Sequence, residues 1–109
     1  MADPIPDEAY VVRGGQNRPA DLRRKIGTHP SGVTGLSVEC DVGMTIEELA
    51  VFVPHGQFGV TTVGEIRAAG GDVIRTTGKS PHHATLVGLS ADEASRLLNP
   101  TQANPAKKP

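Results

Sequence analysis

Hydrophobic and polar positions change period several times along the chain, and each change marks an element. Alternation of period two, rich in β-branched residues and flanked by glycine, predicts five strands: Ala9 to Arg13, Gly35 to Cys40, Gln57 to Thr61, Asp72 to Arg75 and His83 to Gly88. Three other segments open with a hydroxyl residue followed three positions later by glutamate: Thr45-Ile-Glu-Glu48, Thr62-Val-Gly-Glu65 and Ser90-Ala-Asp-Glu93. In that pattern the hydroxyl accepts from a backbone N–H of the first turn and the carboxylate reaches back to the cap, so each predicts a helix start. The helix from Thr45 places Ile46, Leu49, Ala50 and Phe52 or Val53 on its buried face and stops before Pro54. The helix from Thr62 buries Val63, Ile66 and Ala69 and ends at Gly70-Gly71; the helix from Ser90 buries Ala94, Leu97 and Leu98 and ends at Asn99-Pro100. A fourth short turn is expected from Pro19 through Lys25.

These elements give an α+β fold, a small and partly mixed sheet of about five short strands with three short capped helices. The stretch from Gln57 to Arg75 reads as strand, helix, strand, a compact crossover expected to join two parallel strands. The folded domain spans residues 9–98. Residues 1–8 (MADPIPDE) and 99–109 (NPTQANPAKKP) are polar and broken by proline, and disordered tails are expected there.

Composition narrows the class of protein. A chain of 109 residues supports one core, and with no Trp, one Tyr and two Phe that core is aliphatic. A net charge of −1 removes the broad positive field of a dedicated DNA-binding protein. No apolar run approaches the ~20 residues that span a bilayer, and the first residues lack the hydrophobic stretch of a signal peptide, so the cytoplasm is the expected compartment and no membrane partner is expected. Cys40 is the one cysteine; its neighbours Val38 and Val42 point to a buried thiol. His29, His55, His82 and His83 show no ligand spacing, so no metal site is assigned.

Candidate chemistry lies where polar residues occupy a strand face. Leu36, Val38 and Cys40 make one face of their strand apolar and leave Ser37 and Glu39 opposite; His83 and Thr85 likewise oppose Ala84 and Leu86. With Arg13 assigned to the same polar face, Arg13, Ser37 and His83 form one candidate site. Arg13 is a fixed cation followed by Gly14 and Gly15, which lack bulk and let an anion reach the backbone amides, although an Arg13–Glu39 ion pair beside a simple glycine turn also accounts for that sequence. The near-neutral pKa of histidine in general suits acid–base work, so His83 is the acid–base candidate, although a hydrogen-bonded structural histidine accounts for it equally, and Ser37 supplies a hydroxyl. Thr61 and Thr62 join a strand to a helix start, where free N–H groups suit an anion, although capping by Thr62 also accounts for that sequence.

The order Arg13-Gly-Gly15, Gly35-Leu-Ser-Val38, Gly59-Val60 with Arg67, and His83-Ala-Thr-Leu-Val-Gly88 resembles a layout found in small bacterial proteins that carry no assigned activity. More loosely it is similar to the ADP-ribosyltransferase superfamily and the small toxins built on that fold, in which an early-strand Arg, a Ser of a following strand and a later acid or His surround the nicotinamide nucleotide. That resemblance implies NAD as cofactor, with Arg13 on the phosphates or ribose and Ser37 beside the nicotinamide. Leu36-Ser37-Val38 stands where the family shows Ser-Thr-Ser, and the third role falls to His83. The expected function is therefore a small toxin-like domain acting on a nucleotide or RNA phosphate, by ADP-ribosyl transfer or metal-independent RNA cleavage. The alternative is a non-catalytic interaction module, such as an antitoxin, immunity or accessory subunit, whose partner is a cognate protein encoded nearby.

Overall fold

The computed structural model describes residues 4–28, 32–76, 78 and 80–107. Residues 1–3, 108 and 109 of the expected tails, and His29, lie outside them. In chain order the elements are β1 (Tyr10–Gly14), α1 (Pro19–Lys25), β2 (Gly27–Thr28), β3 (Thr34–Asp41), α2 (Ile46–Ala50), β4 (Gln57–Thr62), α3 (Val63–Ala68), β5 (Asp72–Arg75), β6 (His83–Val87), α4 (Ala91–Leu97) and β7 (Gln102–Ala103). The fold is α+β, as its alternating periods require, and no helix among the described residues is long and apolar enough to cross a membrane.

The helix starts follow from side-chain chemistry. Thr45 and Ser90 each form a complete capping box, with Glu48 and Glu93 returning to the cap backbone. Thr62 also caps, accepting from the Glu65 N–H, but the Glu65 carboxylate turns instead to the Thr61 hydroxyl, 3.0 Å away. Gly70, at φ 100°, ends the third helix as its glycine pair predicts. The buried faces agree in part with the periodicity: Leu49, Ala50, Val53, Val63, Ile66, Ala94 and Leu98 are buried, while Phe52 and Ala69 are exposed.

The sheet corrects two expectations. Its order is β5-β6-β3-β1-β4-β7, with β2 hanging on β3, and every one of these pairings is antiparallel. It is not mixed, because β4 and β5, the strands of the supposed parallel pair, are separated by β6, β3 and β1. In a flat sheet they would stand about 19 Å apart, at ~4.8 Å per spacing. The sheet curls, which lets α3, about 9 Å long, join them across the open side. The second correction concerns the tails. Ile5 is buried in the core, Asp7 accepts from the Gly64 N–H and pairs with Arg67, Gln102–Ala103 pairs with β4, and Asn104 is buried. Proline and polar composition hide these contacts, which are made by backbone groups, one isoleucine, one ion pair and one asparagine.

Two cores flank the sheet. On one face Val11, Leu36, Val38, Cys40, Ala84 and Leu86 pack against Leu22 of α1, Val63 and Ile66 of α3 and Ala94 of α4. On the other, Val12 and Phe58 pack against Leu49, Ala50 and Val53 of α2 and the residues after it. Cys40 is fully buried, and that burial pushes its thiol pKa up to about 11.

Candidate functional site

Strand register decides which candidate residues meet. In antiparallel pairs, opposed residues share a face. Val12 opposes Glu39 and Glu39 opposes His83, while Val11 opposes Cys40. Ser37, Glu39, His83 and Thr85 therefore share one face, as alternation predicts. Arg13 follows the parity of Val11 and lies on the other. The common face for Arg13 and His83 is corrected here: alternation sorts residues within a strand, whereas the relative parity of two strands is set by their pairing.

His83 is 9% exposed. Its Nδ1 lies 2.8 Å from the Thr76 hydroxyl, which lies 2.9 Å from the Thr85 hydroxyl, and a side chain at Gly78 would collide with the imidazole ring. The ring is packed beneath the segment that leads into β6, so the polar chain of His83, Thr76 and Thr85 serves that packing. Its neighbour His82 takes a different setting, donating from Nδ1 to Asp41 at 2.7 Å while its ring lies edge-on to Phe52.

Thr61 and Thr62 stand three and four residues along β4 from Phe58, the residue opposite Gly14, so they sit roughly 10–13 Å along the strand from it. The N–H groups expected to hold an anion there are occupied. Val63 donates to the Ala9 carbonyl, Gly64 to the Asp7 carbonyl and Glu65 to the Thr62 hydroxyl. The N-terminal segment thus closes the helix start that the sequence left open.

Arg13 and Ser37 nevertheless border one cleft. β1 pairs with β3 only through Val12, yet continues beside β4 to Gly14. Past Val12 the strands part, and a cleft of about 450 Å³ opens between them. Arg13, Gly14, Gly15 and Asn17 line it from β1 and the turn, Arg24 and Lys25 from α1, Ser37 and Glu39 from β3, and Phe52 to His55 from the end of α2. Each is positioned for a physical reason. A side chain at Gly14 would collide with Val53 and the His55 ring, and Gly15 turns the chain at φ 91°. Asn17, itself left-handed at φ 53°, closes the turn by donating to the Arg13 and Gly15 carbonyls, and accepts from Arg13 Nη1 at 2.9 Å. The guanidinium is thereby fixed in direction.

The electrostatics favour an anion. Three cations, Arg13, Arg24 and Lys25, face two carboxylates, Asp21 and Glu39, and Asp21 is already engaged by Arg18 and Arg24 at 2.9 and 2.8 Å. Burial lowers the Arg13 pKa, with the Asp21 charge opposing the shift. Two buried polar atoms, Arg13 Nε and Glu39 Oε1, have no hydrogen-bond partner among the described residues. Such atoms cost free energy when left unpaired and reward a ligand that satisfies them.

Sequence reasoning named Arg13, Gly14, Gly15 and Ser37 and missed Asn17, Arg24, Lys25 and His55. The signal for Asn17 was its distance of two residues from a Gly-Gly turn, where asparagine tolerates left-handed backbone and bonds its own chain. Nothing in the spacing of His55 pointed to Gly14. Among the described residues no group of three His, Cys, Asp or Glu side chains is placed to hold a metal. No protein-family model, curated protein or solved structure matches the chain.

Proposed function

We propose that the domain binds the phosphate of a nucleotide in the cleft between β1 and β3. The observation that carries this reading is the Arg13 guanidinium, fixed by Asn17 and with its buried Nε unpartnered, beside a cleft to which Arg24 and Lys25 add positive charge. An arginine held in one direction suits the planar, charge-assisted bonding that phosphate oxygens accept. The volume falls within the ~300–1,000 Å³ of small-ligand sites, and the space beside Gly15, where a side chain would meet no atom within 4 Å, leaves room for a bulky anion. Where the domain acts on that nucleotide, whether by ADP-ribosyl transfer from NAD or by RNA cleavage, the acid–base group is His55, which borders the same cleft; Ser37 is the neighbouring hydroxyl.

The test is a chemical-shift titration of the whole chain with an equimolar mixture of AMP, GMP, CMP and UMP. Amide shifts confined to residues 13–17, 24, 25 and 37–39 are expected, and Arg13→Ala weakens binding about tenfold or more through loss of ~1.5–3 kcal/mol of charge-assisted bonding. An unresponsive spectrum at millimolar nucleotide overturns the reading.

A second reading, the interaction module, rests on a different observation. Tyr10, Val42, Val51, Phe52 and Ile74 are large hydrophobic side chains left exposed. A cognate protein that covered them would bind independently of Arg13, so the Arg13→Ala variant separates the two readings.

A further inference from the structure

Two residues that line the cleft carry buried, orphaned atoms of opposite character, and a bare phosphate satisfies only one of them. Arg13 Nε donates and meets a phosphate oxygen. Glu39 Oε1 is a buried acceptor with no partner among the described residues, and a carboxylate is repelled by an anion. A ligand that fills the cleft must therefore bring a hydrogen-bond donor to Glu39 while its anionic end engages Arg13.

Resting on the nucleotide reading above, we infer that Glu39 selects the base and that the base is guanine. Glutamate is acceptor-only when ionised, with two oxygens set side by side. Of the nucleobases, guanine alone presents two donors adjacent to each other on its Watson–Crick edge, the N1–H and the 2-amino group, in a geometry that a carboxylate accepts as a fork. Hypoxanthine offers the N1–H without the amino group. Adenine offers its 6-amino group beside an N1 acceptor, which a carboxylate opposes.

The rest of the cleft suits this orientation. Phe52, Pro54 and His55, which follow α2 on the sheet face that Glu39 shares, line the cleft there, and a base in the cleft has these rings within reach for stacking. The positive charge of Arg24 and Lys25 comes from α1 across the cleft, on the side of Arg13. The ligand chemistry is thus a guanine base carried with a phosphate, either as a free nucleotide or as a guanosine within an RNA strand.

Calorimetric titration of the whole chain with GMP, IMP and AMP separately tests the inference. GMP is expected to bind at least about tenfold more tightly than AMP, the discrimination given by one bidentate contact to a base, with IMP between them. Glu39→Gln, whose amide brings a donor that the adenine N1 can accept, is expected to remove the preference for GMP over AMP by weakening GMP binding and not AMP binding. Its thermal melt shows whether the variant folds, and the series on the unaltered chain carries the inference without it. Equal affinities for GMP and AMP overturn guanine selection and leave the phosphate site standing; binding of none of the three overturns both. The pentanucleotide UUGUU then identifies the source: tighter binding than GMP assigns the site to RNA, and weaker binding assigns it to the free nucleotide.

Discussion

At the scale of single residues, Asn17 does the most for the cleft. It is 1% exposed, adopts a left-handed backbone, and holds two carbonyls and the Arg13 guanidinium with one amide. Its own carbonyl accepts from the Asn99 side chain at 3.0 Å, which ties the turn to the end of α4. Replacing it with alanine removes the bonds of its side-chain amide, and with them the local bonding that lets asparagine hold a left-handed backbone, a region that costs an L-residue roughly 1–2 kcal/mol. Asn17→Ala is therefore expected to lose about 2–4 kcal/mol of stability, read by urea denaturation, and to weaken nucleotide binding although Asn17 need not touch the ligand. Asn17→Gly, which tolerates the backbone, should recover the conformational part of the stability and none of the affinity.

At the scale of elements, the helices depend on their caps and on packing. The four among the described residues have seven residues or fewer, too short to persist alone in water. α2 is the shortest and the one on which the cleft wall depends, since Phe52 to His55 follow from its C-terminal end. Thr45→Ala and Ser90→Ala should each cost about 1 kcal/mol, measured by chemical denaturation. Only Thr45→Ala should also shift the amide resonances of residues 52–55. Equal shifts at the cleft from both variants would separate the wall from α2. The C-terminal segment supports the same wall, because the buried Asn104 amide donates to the carbonyls of Ala50, Val53 and His55 at 3.1, 3.3 and 3.0 Å.

At the scale of the whole molecule, ionised side chains tie distant segments together. Asp41 closes β3, accepts from His82 at the entry to β6, and meets Arg75 of β5 at 3.4 Å. Partial burial raises its pKa, but the bond from His82, the Arg75 charge and the Val42 N–H outweigh burial and hold the carboxyl below its ordinary value. A carboxyl with a lowered folded-state pKa stabilises the fold at every pH above its unfolded value, about 3.9, and that contribution is lost as pH falls toward the folded value. Asp41→Asn should therefore melt below the parent protein at pH 7, and the gap should close as pH is lowered from about 5 to 3. A gap unchanged across that range would mean that the carboxylate contributes nothing through its charge.

The sequence by itself determined whatever depends on neighbours a few positions away. Hydroxyl and glutamate three residues apart placed Thr45, Thr62 and Ser90 at helix starts, glycine placed the end of α3, and alternation separated Leu36, Val38 and Cys40 from Ser37 and Glu39, because caps, turns and pleats are closed by local backbone geometry. Five strands were legible within a residue or two. The two-residue β2 and β7 were not, since pairs so short carry no periodicity. Tertiary structure alone decided what depends on how segments meet. Register, fixed by packing on both sheet faces, put Arg13 opposite in parity to His83 and buried that histidine beside Thr76 and Thr85. The parting of β1 from β3 after Val12 returned Arg13 and Ser37 to one cleft and added Glu39, Arg24, Lys25 and His55. Those residues lie as many as 42 positions apart, from Arg13 to His55, and only the closing of the chain on itself brings them within reach of one ligand.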